Sequence, residues 1–133
     1  MIFGVGTDLC GITRIERMLA RHGDRLANRI LAQSETAEFA CSHHPARFLA
    51  KRFAAKEALG KALGTGIRAP VLLRSIAVTH DDLGKPVLAF DDVLAAWIDQ
   101  RGLRTHLSLS DESADGSAFA LAFVVVERVE STA

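Results

Sequence analysis

The chain has 133 residues, 49% of them apolar and 24% charged, and its net charge is zero. That length allows one domain, expected to span 1–133, with a real core. The composition excludes a disordered segment, and no apolar run is long enough to span a membrane. The charge is unevenly spread: residues 1–74 hold twelve Lys/Arg against six Asp/Glu (+6), and residues 75–133 hold four against ten (−6). The first half is therefore the place for an anionic ligand or an acidic partner. No basic patch is interleaved with aromatics, so nucleic acid is not expected. Two cysteines, Cys10 and Cys41, give no disulfide framework and suit core positions in a reducing cytoplasm. Met1 runs straight into a strand pattern, so no signal peptide is expected.

Ile2 to Leu9 reads as a strand with Phe3, Val5, Thr7 and Leu9 on one face. The other face holds Ile2, Gly4, Gly6 and Asp8. Its two glycines let a ligand or another backbone approach just before a carboxylate, or they simply admit a packed helix. Both hold if that helix brings Glu57 toward Asp8. Thr13-Arg14-Ile15-Glu16 is a capping-box pattern that starts a helix. Arg14, Arg17, Arg21 and Arg25 share one face with Met18, either as a solvated basic surface or as a docking face with an adaptable apolar contact. Ser34 can cap a short helix through Phe39. His43-His44-Pro45 reads as a turn or phosphate contact, since adjacent histidines diverge and no third metal ligand is near.

Phe48 to Leu63 reads as the central helix, entered through Pro45 and stopped at Gly64. Rotating about 100° per residue puts Leu49, Phe53, Leu59, Gly60 and Leu63 on one apolar arc, with Arg52 and Lys56 inside it. Glu57 and Lys61 lie to one side among alanines. A surface helix normally gathers its charges on the solvent side. Lys51 reads as a snorkelling side chain. For Arg52, Lys56, Glu57 and Lys61, spacing alone leaves snorkelling and ligand binding both open. Gly64-Thr65-Gly66 closes the helix, and by itself a Gly-x-Gly is weak evidence of phosphate binding.

Ile76 to Thr79 and Val87 to Phe90 read as two strands joined through Asp81-Asp82-Leu83-Gly84-Lys85-Pro86, with the aspartates as turn formers. Asp91 caps a helix to about Arg101 that turns Val93, Leu94, Trp97 and Ile98 inward. Leu103 to Ser110 alternates as a strand, Asp111 to Gly116 reads as a polar turn, and Ala118 to Val126 as a buried central strand. Ala118, Ala120 and Ala122 leave room for a helix. This order of elements gives an α+β class with an antiparallel final pair.

Three stretches, Gly4-Val5-Gly6-Thr7-Asp8, Phe48 to Ala58 with Lys61, and Ser108-Leu109-Ser110, resemble the holo-acyl-carrier-protein synthases, the small phosphopantetheinyl transferases. The likeness extends to Arg14-Ile15-Glu16, Arg29-Ile30-Leu31, Ala62 to Ile67 and Gly84-Lys85-Pro86. It implies a mostly antiparallel sheet packed on a long central helix, and a homotrimer with active sites between subunits. It implies transfer of the 4′-phosphopantetheine arm of coenzyme A to a serine of an apo acyl carrier protein, in fatty acid biosynthesis, with adenosine 3′,5′-bisphosphate released. By resemblance Asp8 and Glu57 hold Mg²⁺ and, with Lys61, carry catalysis. Arg52, Lys56, Lys61, Gly64, Thr65, Lys85, Ser108 and Ser110 are the implied coenzyme A contacts. The acidic carrier would dock on Arg14, Arg17, Met18, Arg21 and Arg25. Many members have histidine where this chain has Asp111, which reads either as a neighbour of the ion or as a turn residue.

Overall fold

The computed structural model describes residues 1–130, so the last three residues of the expected domain lie outside the described residues. In chain order the elements are β1 (Ile2–Gly11), α1 (Ile12–His22), α2 (Asp24–Ile30), α3 (Thr36–Ala40), α4 (Pro45–Leu63), β2 (Ile76–His80), β3 (Pro86–Phe90), α5 (Asp92–Gln100), β4 (Leu103–Ala114) and β5 (Ser117–Arg128). One sheet is antiparallel in the order β1-β5-β4, and β2-β3 is a separate antiparallel hairpin. The class is α+β, as expected.

α4 begins and ends where its sequence dictates. Pro45 is in its first turn, and Gly64 takes the left-handed conformation at its C-cap (φ 79°). The helix lies across the inner face of the three-stranded sheet, where Ala120, Ala122, Val124 and Val126 of β5 are fully buried. Leu49, Ala50, Ala54, Ala55, Ala58 and Leu59 of α4 are buried completely as well. The approach is closest over β1. A Cβ on Gly4 would stand 1.9 Å from the Ala62 carbonyl oxygen, and one on Gly6 2.0 Å from that of Ala58. The glycines thus admit the helix, and Asp8 follows them on the same face of β1.

Several boundaries differ from the sequence reading. The Thr13 capping box does not form: β1 runs directly into α1, and Gly11, in extended conformation, occupies the N-cap without a side-chain bond. Gly23 (φ 57°) then breaks the helix, so Arg25 belongs to α2 and not to the face carried by Arg14, Arg17, Met18 and Arg21. Ser34 does not cap; it sits inside a 3-10 turn, Gln33–Glu35, ahead of α3. β4 runs through Asp111 to Ala114, and the turn contracts to Asp115-Gly116, both at positive φ. That is the two-residue geometry that right-twisted hairpins favour.

β5 is central, but within this chain only one of its faces is buried. Phe119, Leu121 and Phe123 are exposed on the outer face beside Val5 and Leu9 of β1. In α5, Asp91 Oδ1 accepts from Leu94 N at 2.9 Å as expected of a cap, while Val93 points outward. Asp81 Oδ1 accepts from the Leu83 and Lys85 amides, both at 2.9 Å, so it is a turn former. Among the described residues no helix is long and apolar enough to cross a membrane.

Candidate active site

Asp8 and Glu57 meet where β1 passes under the second half of α4. Asp8 lies on the inner sheet face, in register with Ala122. The alanines of α4 and the glycines of β1 leave nothing bulky between strand and helix, so the two acids share one locality. Burial first, and then the neighbouring Asp8 charge, push the half-buried Glu57 carboxyl above its ordinary value, while Lys61 pulls the other way. Lys61 is one turn beyond Glu57. Its Nζ donates to the Thr7 carbonyl oxygen at 2.9 Å and to Asp8 Oδ1 at 3.2 Å. One cation therefore answers two acids that repel each other. Among the described residues no group of three or more His, Cys, Asp or Glu side chains gathers as a metal cage. Mg²⁺ does not require one, because it commonly takes one or two carboxylates and completes its shell with water and substrate phosphate. Two mutually repelling carboxylates at a partly open edge fit such an ion.

Gly64 and Thr65 continue from the Lys61 turn. The Thr65 and Gly66 amides both bond the Gly60 carbonyl, at 3.2 and 3.0 Å, which folds this loop back onto α4. Lys85 is exposed on the β2–β3 hairpin and, among the described residues, forms no ion pair. Ser108 and Ser110 are exposed on the outer sheet face, in register with Phe123 and Leu121, so within one chain they face away from Asp8.

Two of the expected phosphate ligands are something else. Lys56 has no exposed surface and Arg52 only 5%. Lys56 Nζ donates to Glu35 Oε1 and to the Ile30 carbonyl, both at 2.6 Å. Arg52 Nε stands 2.8 Å from Glu35 Oε2 with its N–H off the line of a directed bond, and its Nη2 donates to Glu38 Oε2 at 3.0 Å. Its guanidinium also stacks on the Phe48 ring at 3.7 Å. Both cations are thus neutralised in the core and cannot reach a substrate phosphate from there. Sequence reading missed Glu35. The available signal was the pair of cations on the apolar arc of α4, which calls for a buried acid somewhere else in the chain.

Asp111 is not a turn residue, and two cations of α4 take its carboxylate. It sits on the inner face of β4, in register with Ala120, paired with Arg47 and with Lys51 Nζ at 3.4 Å. Lys51 accordingly has a partner and does more than snorkel. Cys10 is a core thiol, pushed up by burial and then by Asp8. Arg14 and Met18 line a groove of about 490 Å³ with Leu26, Arg29, Phe53 and Arg74. Arg25 lines an adjoining hollow with Met18, and Arg17 and Arg21 are exposed on α1.

The chain is similar to known proteins over most of its length. A holo-[acyl-carrier-protein] synthase from Laribacter hongkongensis is 59% identical over 128 residues, covering 96% of this chain and 99% of the relative. The crystal structure of the holo-[acyl-carrier-protein] synthase from Neisseria meningitidis superposes with a TM-score of 0.89 at 46% identity, covering 96% of this chain and 99% of that one. The Bacillus anthracis synthase, solved in complex with CoA (3′,5′-ADP), matches with a TM-score of 0.75 at 37% identity, over 97% and 99% of the two chains. The family model described as the 4′-phosphopantetheinyl transferase superfamily matches residues 4–124. With that match spanning most of its length, the chain belongs to the 4′-phosphopantetheinyl transferase superfamily.

Proposed function

We propose that this chain, acting as a single transferase domain, moves the 4′-phosphopantetheine arm of coenzyme A onto a serine of an apo acyl carrier protein. The observation that carries this reading is the convergence of Asp8, Glu57 and Lys61 at the β1–α4 crossing. The serine oxygen attacks the phosphorus that bears the pantetheine arm. The bond from that phosphorus to the bridging oxygen breaks, and adenosine 3′,5′-bisphosphate leaves with the electron pair. Such a transfer needs positioning and charge stabilisation more than covalent help. Asp8 and Glu57 are the residues that would hold Mg²⁺, which when bound neutralises the pyrophosphate and the leaving group. Lys61 serves as a mobile point charge for phosphate oxygens, aided by the backbone at Gly64 and Thr65. Glu57, directly or through a water on the bound ion, is the candidate route for the serine proton; a carboxylate that holds the ion is a weak base, which favours the water.

The exposed outer sheet face supports self-association, which in this reading is a homotrimer. Val5 is 52% and Leu9 64% exposed, and Phe119, Leu121 and Phe123 continue the apolar patch. Ser108 and Ser110 lie on that face, so their contact with coenzyme A would be made across a subunit boundary. Arg14, Arg17, Met18 and Arg21, with Arg25 across the Gly23 break, form the proposed surface for the acidic carrier. Free Cys10 and Cys41 suit the cytoplasm, and fatty acid biosynthesis is the setting in which such a carrier is charged.

The test is direct: mix the protein with coenzyme A, Mg²⁺ and an apo acyl carrier protein, and weigh the carrier by mass spectrometry. A Mg²⁺-dependent gain of one phosphopantetheine is expected. Coenzyme A binding with no mass gain would reduce the chain to a binding module.

A further inference from the structure

We propose that the buried Glu35 carboxylate is a positioning residue: by clamping Arg52 and Lys56 it sets the rotation of α4, and so holds Glu57 beside Asp8. This rests on the reading of Asp8 and Glu57 as the ion's ligands. Glu35 is 3% exposed, and both of its oxygens are fully engaged. Oε1 accepts from Ala32 N at 2.9 Å and Lys56 Nζ at 2.6 Å. Oε2 accepts from Val78 N at 3.0 Å and has Arg52 Nε at 2.8 Å. The two amide bonds fix the carboxylate to the segment before α3 and to β2, independently of α4. Lys56 adds a third tie, to the Ile30 carbonyl at the end of α2. The helix therefore docks onto a carboxylate already held by the rest of the fold.

Arg52 and Lys56 are four residues apart, and Glu57 and Lys61 are four residues apart. The two rows, offset by five residues, lie about 140° around the helix from each other. Turning α4 to free one row would swing the other away from its target, whereas a working site tolerates roughly 10–20°. Over β1, where Glu57 must meet Asp8, the approach is Ala58 and Ala62 against Gly4 and Gly6, a backbone contact with no side-chain knob of its own to lock the rotation. Directional bonds to a saturated carboxylate provide the lock that alanine against glycine cannot. Counting Glu38, whose Oε2 takes Arg52 Nη2, two acids face two bases, so the clamp is balanced in charge.

The experiment titrates Mn²⁺ by isothermal calorimetry into the wild type, Asp8→Asn, Glu35→Gln and the double variant Glu35→Met/Lys56→Met. The folded fraction of each is read by circular dichroism at the same temperature. Removing Glu35 and Lys56 together leaves no buried lysine unpaired, and Arg52 keeps Glu38 as its partner, so the double variant separates folding from aim. Per folded molecule, Mn²⁺ affinity is expected to fall about tenfold in both Glu35 variants. Turnover should fall with it, while the Michaelis constant for the carrier stays at the wild-type value. Wild-type Mn²⁺ affinity in a folded Glu35 variant overturns the proposal, as does a loss that only tracks the unfolded fraction. Wild-type affinity in Asp8→Asn would instead overturn the assignment of the ion's ligands.

Discussion

The two charged rows of α4 behave in opposite ways. Arg52 and Lys56 point into the core and spend their charge on Glu35. Glu57 and Lys61, about 140° around the helix, stand at an open edge with Asp8. Both rows have the same i, i+4 spacing, the first of two cations and the second of an acid and a cation. The difference lies in what meets them. A buried cation must be matched within the fold, because leaving it unpaired costs about 3–5 kcal/mol. At an edge, two acids can be left imperfectly matched, and that mismatch is what a metal ion and a phosphate can use.

The widest break in this contrast comes from Gly6→Val, which puts side-chain atoms where the Ala58 carbonyl already stands. Overpacking of this kind costs about 1–3 kcal/mol or more. It should lift α4 from β1 and remove activity together with much of the cooperative thermal transition, as seen by circular dichroism. Wild-type melting and turnover would show that the close approach is unnecessary. Next in size are Asp8→Asn and Glu57→Gln. Each should lower Mg²⁺-stimulated turnover about 10²-fold or more, with melting temperature little changed, since each keeps the packing and Asp8→Asn gives up only a half-exposed pair with Lys61. Steady-state rates against Mg²⁺ concentration separate this from general damage. A smaller effect belongs to Arg14→Glu/Arg21→Glu, which should raise the Michaelis constant for the carrier about tenfold and leave that for coenzyme A nearly fixed. Equal shifts in both would point to instability.

How much of this contrast was legible depended on whether one segment sufficed to define it. Pro45 and Gly64 mark the ends of α4 through their own backbone chemistry, and Gly4-Val5-Gly6-Thr7-Asp8 carries its close approach in its composition. The rotation of α4 correctly placed Arg52 and Lys56 inward and Glu57 and Lys61 to one side. It could not name the acid that meets the first pair, because Glu35 lies in a separate segment and is brought to the helix only by the fold. The ligand reading of Arg52 and Lys56 failed for that reason. Asp111 was misplaced because its polar neighbours looked like a turn, while the Asp115-Gly116 pair was the true signal. The double-sided apolar pattern of β5 correctly marked a central strand, yet half of that surface stays open in one chain.

The smallest effect is in pH. Glu57 is held above its ordinary pKa, so the folded state keeps a proton that the unfolded chain has already lost. Without divalent ion, that contribution is complete below the unfolded carboxylate value and is lost as pH rises through the folded one. Glu57→Gln should therefore match the wild type near pH 4 and melt higher at pH 7–8. The difference should be on the order of 1–2 °C, because water screens the half-buried group. Differential scanning calorimetry at the two pH values measures it, and a lower melting temperature at pH 8 would reverse the sign.

The convergence of Asp8 and Glu57 on one ion is tested most directly by anomalous diffraction from crystals soaked in Mn²⁺ with coenzyme A. The expected result is a single strong peak about 2.1–2.3 Å from an oxygen of each carboxylate. A peak held by only one of the two acids, or lying away from the β1–α4 crossing, would contradict it.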